Sequence, residues 1–171
     1  MITIEESGVT FGPFAADTLF HIEKSAHVQA LSGIKVCEFI WWSAEQSKLV
    51  FVEAKSSVPN RAKSPEEYEK YFTEIWEKLE NSLQILLAAS VNRPTTLGNE
   101  LVADMANINW RQADIRLYLV VPKAPMEYLD PLSDKLTGLF RRQLTIWNGS
   151  AKVINEALAR KEGLLTSAAD V

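Results

Sequence analysis

The spacing of apolar residues changes period several times along the chain, and each change marks an element. Residues 35–42 (KVCEFIWW) and 49–55 (LVFVEAK) are short runs rich in β-branched and aromatic side chains, as strands are, and the polar stretch 43–48 between them reads as a turn. After Ser64 the period becomes helical. Tyr68, Phe72, Ile75, Leu79, Leu83, Leu86 and Leu87 fall on one face, and the pattern predicts a helix to about Val91, ended by Arg93-Pro94. Ser64 is the expected cap, Pro65 suits the first helical position, and Glu67 completes a capping box. Residues 114–121 (DIRLYLVV) predict a strand closed by Pro122. Asp130-Pro131 opens a second helix with Leu132, Leu136, Leu139, Phe140 and Leu144 inward and Asn148-Gly149 as its stop. Residues 152–154 read as a short edge strand, with a helical tail from Asn155. Residues 1–17, punctuated by Gly8, Gly12 and Pro13, read as irregular. The segment 18–23 (TLFHIE) reads as a strand or as the opening of a short helix through Leu31, and 94–112 as a partly helical excursion.

Strands and helices therefore alternate after an initial run of strands. This order predicts an α/β chain with a single mixed sheet flanked by helices. The early strands, joined by short turns, should be antiparallel. The strand at 114, reached through a long helix, should run parallel to the strand at 49. With 171 residues and no stretch rich enough in breakers to divide it, the chain is expected to be a single domain over 1–171.

Composition narrows the chemistry. Cys37 is the lone cysteine and His21 and His27 the only histidines, which excludes an intrachain disulfide and argues against thiolate or His-rich metal sites. The first residues lack a basic leader followed by an apolar stretch, and no apolar run approaches the ~20 residues that span a bilayer, so the expectation is a cytoplasmic protein with no membrane partner. The net charge of −4, from 18 basic and 22 acidic residues, excludes a passive DNA coat held by excess cations. Glu66, Glu67, Glu69, Glu74, Glu77 and Glu80, against Lys70 and Lys78, read as a solvated helix face.

The chemically informative feature is Glu53-Ala54-Lys55. Alternation places Leu49, Phe51, Glu53 and Lys55 on one face of the strand and Val50, Val52 and Ala54 on the other. Both faces are apolar over most of its length, as expected of a central strand covered on both sides. A regular hairpin centred between Glu45 and Gln46 pairs Trp42 with Leu49, Ile40 with Phe51 and Glu38 with Glu53, and sets Lys55 diagonally from Glu38. Two carboxylates directly opposite repel. One must keep its proton, or Lys55 must neutralise the pair, or a divalent cation must lie between them.

On these residues the chain resembles the PD-(D/E)XK nuclease superfamily, with its restriction-endonuclease-like fold: Val50-Phe51-Val52-Glu53-Ala54-Lys55 on a central strand, preceded one strand earlier by Glu38. The resemblance implies a nuclease-like core over 18–121, with a C-terminal flanking helix and short strand over 129–165. It implies a metal-dependent phosphodiester hydrolase acting on nucleic acid, DNA foremost. Glu38 and Glu53 would be catalytic carboxylates holding Mg²⁺ (or Mn²⁺), Ala54 would lend the ion its backbone carbonyl, and Lys55 would assist the attacking water. Glu23 matches an additional upstream acid that some members carry. Cys37-Glu38 stands where Pro-Asp is typical of the family.

A second class of function stays open: the same fold as a catalytically silent module that packs on a protein partner or a second copy of itself. From the residues alone, Glu53 and Lys55 also read as an exposed ion pair at a strand end. His21 and Cys37 read as structural, and Trp41 and Trp42 as packing residues on opposite faces. Asn81 and Gln84 read as helix-surface residues within reach of the site, and Arg141-Arg142 as a solvated helix end.

Overall fold

The computed structural model describes residues 1–166. It opens with a hairpin of β1 (Ile2–Glu6) and β2 (Val9–Phe14), turned at Ser7-Gly8, where both residues have positive φ. This replaces the irregular segment expected for residues 1–17. Ile4, Phe11 and Phe14 point inward, and one of the breakers that obscured the pattern, Gly12, has a tertiary use. Gly12, at φ +99°, donates its N–H to the Leu164 carbonyl at 2.9 Å, and a Cβ there would lie 2.7 Å from the Ile2 carbonyl oxygen. Only glycine tolerates both conditions.

The main sheet has five strands in the order β3-β4-β5-β6-β7: Leu19–Phe20, Phe39–Ser43, Lys48–Ala54, Asp114–Val120 and Ser150–Ile154. The first two pairings are antiparallel, and β5-β6 and β6-β7 are parallel, as the short turns and the long crossover predict. The segment 18–23 is divided: β3 is followed by a 3₁₀ turn at Ile22–Lys24, and the short helix α1 (Ala26–Ala30) begins after Ser25, whose Oγ accepts from the Val28 N–H.

β5 is buried on both faces. Leu49 and Phe51 pack with Ile40 and Trp42 against the long helix α2 (Pro65–Ser90), while Val50, Val52 and Ala54 pack with Phe39 and Tyr118 under the β1-β2 hairpin and residues 164–165. The start of α2 lies where expected, but the Ser64 side chain makes no capping hydrogen bond. Asn60 organises the entry instead: its Oδ1 accepts from the Ala62 and Lys63 N–H groups and its carbonyl from Ser64. The excursion at 94–112 contains two single turns, α3 (Thr95–Gly98) and α4 (Ala103–Ala106).

The second predicted helix is two. α5 (Met126–Leu139) begins earlier than Asp130-Pro131 and carries Pro131 inside it. α6 (Arg141–Trp147) follows a break at Phe140 and stops at Asn148, which is left-handed. Pro131 is tolerated because the carbonyl it leaves without an N–H belongs to Glu127, and both residues are exposed, so water replaces the bond. α7 (Glu156–Lys161) is capped by Asn155, whose Oδ1 accepts from the Leu158 N–H. No helix among the described residues is long and apolar enough to cross a membrane.

β7 is an edge strand, and its outward polar groups are covered by α5. Ser133 Oγ accepts from the Val153 N–H at 2.9 Å, and Thr137 Oγ1 donates to the Ala151 carbonyl at 3.1 Å. An edge closed in this way cannot template another strand. Ser133→Ala is expected to lower the unfolding free energy in urea by about 1 kcal/mol and to reduce hydrogen-exchange protection of the Val153 amide. Unchanged protection would show that this hydroxyl does not hold the edge.

Candidate functional site

β4 and β5 meet in the register that the turn predicts. Trp42 opposes Leu49, Ile40 opposes Phe51 and Phe39 opposes Val52. One residue past the ladder, the Glu38 N–H still donates to the Val52 carbonyl at 3.0 Å. Glu38 and Glu53 thus come side by side at the end of the hairpin remote from its turn. On β5, Glu53 shares its face with Leu49 and Phe51, the face that α2 covers. Glu53 is 0% exposed and Glu38 6%.

A third residue from α2 completes the arrangement. Lys78 Nζ lies 2.8 Å from Glu53 Oε1 and 3.7 Å from Glu38 Oε1, and Lys55 Nζ lies 3.0 Å from the same Glu53 oxygen. Both lysines thus form ion pairs on the same Glu53 Oε1 atom, and the enclosed Glu53 Oε2 has no partner among the described residues. Lys78 belongs to a stripe with Tyr71 and Ser82, seven residues before it and four after, which runs beside the apolar stripe of α2. Ser82 Oγ accepts from the Cys37 N–H at 2.8 Å and donates to the Lys78 carbonyl at 2.7 Å. One hydroxyl therefore ties the residue before Glu38 to the helix turn that carries Lys78.

The other expected residues fall as follows. Ala54 pairs with Val120 and turns its methyl to the opposite face of the sheet. Glu23 does approach: single carboxylate oxygens of Glu6, Glu23 and Glu38 all lie within 4.8 Å of one another. Glu6 comes from the N-terminal hairpin that the sequence pattern concealed. Asn81 donates to the Lys35 carbonyl and Gln84 to Glu80, so neither joins the group. Lys78 went unnoticed because it sits in a run of charges that otherwise reads as solvated. Its i+7 and i+4 relation to Tyr71 and Ser82 is the signal that singles it out. Cys37 is enclosed, its thiol pushed up to about 12 chiefly by burial, which keeps it protonated. Arg141 and Arg142 are exposed on α6.

Electrostatics in this enclosure are strongly shifted. Burial, then the neighbouring Glu53 charge, then a hydrogen bond with Glu23 push the Glu38 carboxyl up to about 8. Burial also raises Glu53, although Lys78 and Lys55 pull it back. Lys78 is lowered by its own burial, but the Glu53 and Glu38 charges outweigh this and raise it. The partners' shifts thus point opposite ways for the Lys78–Glu53 pair: the lysine favours the charged pair and the glutamate resists it. Two ammoniums within 3.0 Å of one oxygen make the charged form of Glu53 the better description, and the proton resides on Glu38, which is farther from Lys78. Two of the three ways of relieving the paired acids therefore operate together: lysine neutralisation and retention of a proton.

The donor set suits a hard cation. All candidate ligand atoms are carboxylate or carbonyl oxygens, the preference of Mg²⁺ and Mn²⁺, and Glu53 keeps an enclosed oxygen with no hydrogen-bond partner among the described residues. No family model, no curated protein and no solved structure matches the chain.

A carboxyl whose folded pKa is raised holds its proton more tightly folded than unfolded. Stability contributed in this way is present at low pH and falls as pH rises from the ordinary carboxylate range through about 8. With EDTA present, Glu38→Gln is expected to match the parent protein near pH 5 and to exceed it at pH 8.5 by up to roughly 4 kcal/mol. Urea unfolding at the two pH values measures the gap. A gap equal at both would place the extra proton elsewhere.

Proposed function

We propose that this protein is a metal-dependent phosphodiester hydrolase acting on nucleic acid, with the restriction-endonuclease-like fold. One observation carries the reading: two acids from neighbouring strands meet in an enclosed site beside a lysine two residues past one of them, on the central strand of a mixed sheet. An α/β fold alone would not support it, since folds of this class serve many chemistries.

Glu38 and Glu53 would hold Mg²⁺ or Mn²⁺, with Glu23 and Glu6 grouped around Glu38. When bound, such an ion polarises a phosphoryl oxygen and acidifies water. The chain's own groups supply the rest. Lys55 Nζ, anchored at Glu53 while its side chain remains 35% exposed, orients the water and offers charge to the phosphate as negative charge builds on it. Water oxygen forms the new bond to phosphorus, the ester P–O bond breaks, and the water proton passes through solvent to the leaving alkoxide. Lys78, with its side chain 18% exposed, neutralises Glu53 beside the protonated Glu38, and would have to give up part of that contact for the two acids to hold the ion together.

A specific observation favours the second reading, the silent assembly module. Lys78 and Lys55 already neutralise Glu53 without any ion. Metal titration separates the two. For the hydrolase, millimolar Mg²⁺ or Mn²⁺ should raise the thermal midpoint of the parent protein by several degrees through selective binding to the folded state, and Glu53→Gln should abolish the rise. Identical melting with and without metal favours the module. Lys55→Ala should cut hydrolysis of single-stranded, duplex or supercoiled substrates by about 100-fold or more. Cleavage indifferent to Lys55 would remove this site from the reaction.

A further inference from the structure

Just past Lys55 the chain enters the wall of a recess of about 980 Å³, set at the C-terminal ends of β5 and β6 between the beginnings of α2 and α5. Crevices in this position, where parallel strands deliver their loops, are the usual ligand sites of open α/β sheets. The volume lies near the top of the roughly 300–1,000 Å³ range of ligand clefts.

The walls combine two chemistries. Tyr68 lies at the floor, with Arg61 and Lys135 each 5.9 Å from its ring centroid. From α5, Tyr128 also lines the recess with an uncovered side chain, 58% exposed. Arg61, Lys123 and Lys135 supply three positive charges against Asp134 alone, on a protein whose overall charge is −4. Lys135 is paired with Glu69, but among the described residues neither Arg61 nor Lys123 has a carboxylate within ion-pair distance. A cationic recess with aromatic faces complements a strand of phosphates whose bases are free to stack. A duplex offers phosphates but keeps its base faces covered, so it would leave Tyr128 unused.

We infer that this recess binds an unpaired nucleic-acid strand and guides it to the carboxylate–lysine site, with Tyr128 stacking on a base and Arg61 and Lys123 holding the backbone. The inference rests on the hydrolase reading and narrows its substrate to single-stranded or frayed nucleic acid. It accounts for how an acidic chain can engage a polyanion: the favourable potential is confined to one groove.

Fluorescence anisotropy in EDTA, with fluorescein-labelled 15-nucleotide oligo(dT), oligo(U) and a 15-base-pair duplex, tests it without cleavage. At least one of the single strands should bind ten-fold or more tightly than the duplex, and the better of the two identifies the sugar. Tyr128→Ala should weaken that binding roughly five- to fifty-fold, Tyr128→Phe should retain it, and Lys123→Gln should weaken it and flatten its salt dependence. Tyr128 is exposed, so an unchanged thermal midpoint will show that Tyr128→Ala is folded. Equal or tighter duplex binding, no binding to any of the three, or indifference to Tyr128→Ala would overturn the inference. Its failure is distinct from failure of the hydrolase. Cleavage that requires Glu53 and Lys55 but ignores Tyr128→Ala removes the groove alone, whereas Tyr128-dependent strand binding by a protein that cleaves nothing removes the hydrolase alone.

Discussion

A carboxylate closed off completely inside the sheet is the constraint around which this structure is arranged. Glu53 has no access to water, and an ionised carboxylate left alone there would cost several kcal/mol even after relaxation. The compensation comes from two directions: Lys55, two residues on along the same strand, and Lys78, from a helix that starts ten residues after Lys55. The second contact requires α2 to lie over β5 at one rotation and one height. The Ser82 hydroxyl enforces that placement by joining the Cys37 amide to the Lys78 turn. The registers of the hairpin and of the helix are therefore not independent. Slipping either would strand a buried charge.

The same enclosure depends on packing well away from the acids. β5 is sealed on one face by α2 and on the other by an N-terminal hairpin that residues 164–166 tie down through Gly12. That hairpin also delivers Glu6 to Glu23 and Glu38. The N-terminal strands thus contribute both to the second apolar core and to the acidic cluster beside Glu38, while the Glu38 carboxyl itself is raised by burial, Glu53 and Glu23. At the other edge, α5 closes β7 with two hydroxyls and contributes one wall of the recess beyond Lys55. The elements that finish the sheet also shape the surface next to the acids.

Much of this was readable from residue order because it depends on short-range periodicity. The 43–48 turn set the pairing of Glu38 with Glu53, since a hairpin's register follows from its turn. The uninterrupted apolar stretch of β5 announced a strand covered on both sides, and the long crossover announced its parallel partner β6. The failures have physical causes as well. Gly12 breaks the alternation of β2 because it serves a contact with residues 164–166, more than 150 positions away. Pro131 looks like a helix start and lies inside a helix because its lost hydrogen bond faces water. Lys78 is chemically identical to its solvated neighbours and differs only in the face from which it projects.

Sequence by itself determined β4, β5, α2 and β6, their order, the hairpin register and the pairing of two acids with a lysine, since neighbouring residues on one strand or across one tight turn have almost no freedom to be elsewhere. Tertiary structure alone decided that Lys78 neutralises Glu53, that Ser82 clamps the helix to β4's approach, that Glu6 joins Glu23 and Glu38, and that Tyr68 and Tyr128 line one cationic recess. Those placements depend on how a helix rotates over a sheet and where distant loops converge. Packing fixes them through burial summed over the whole core, which no local pattern of residues records.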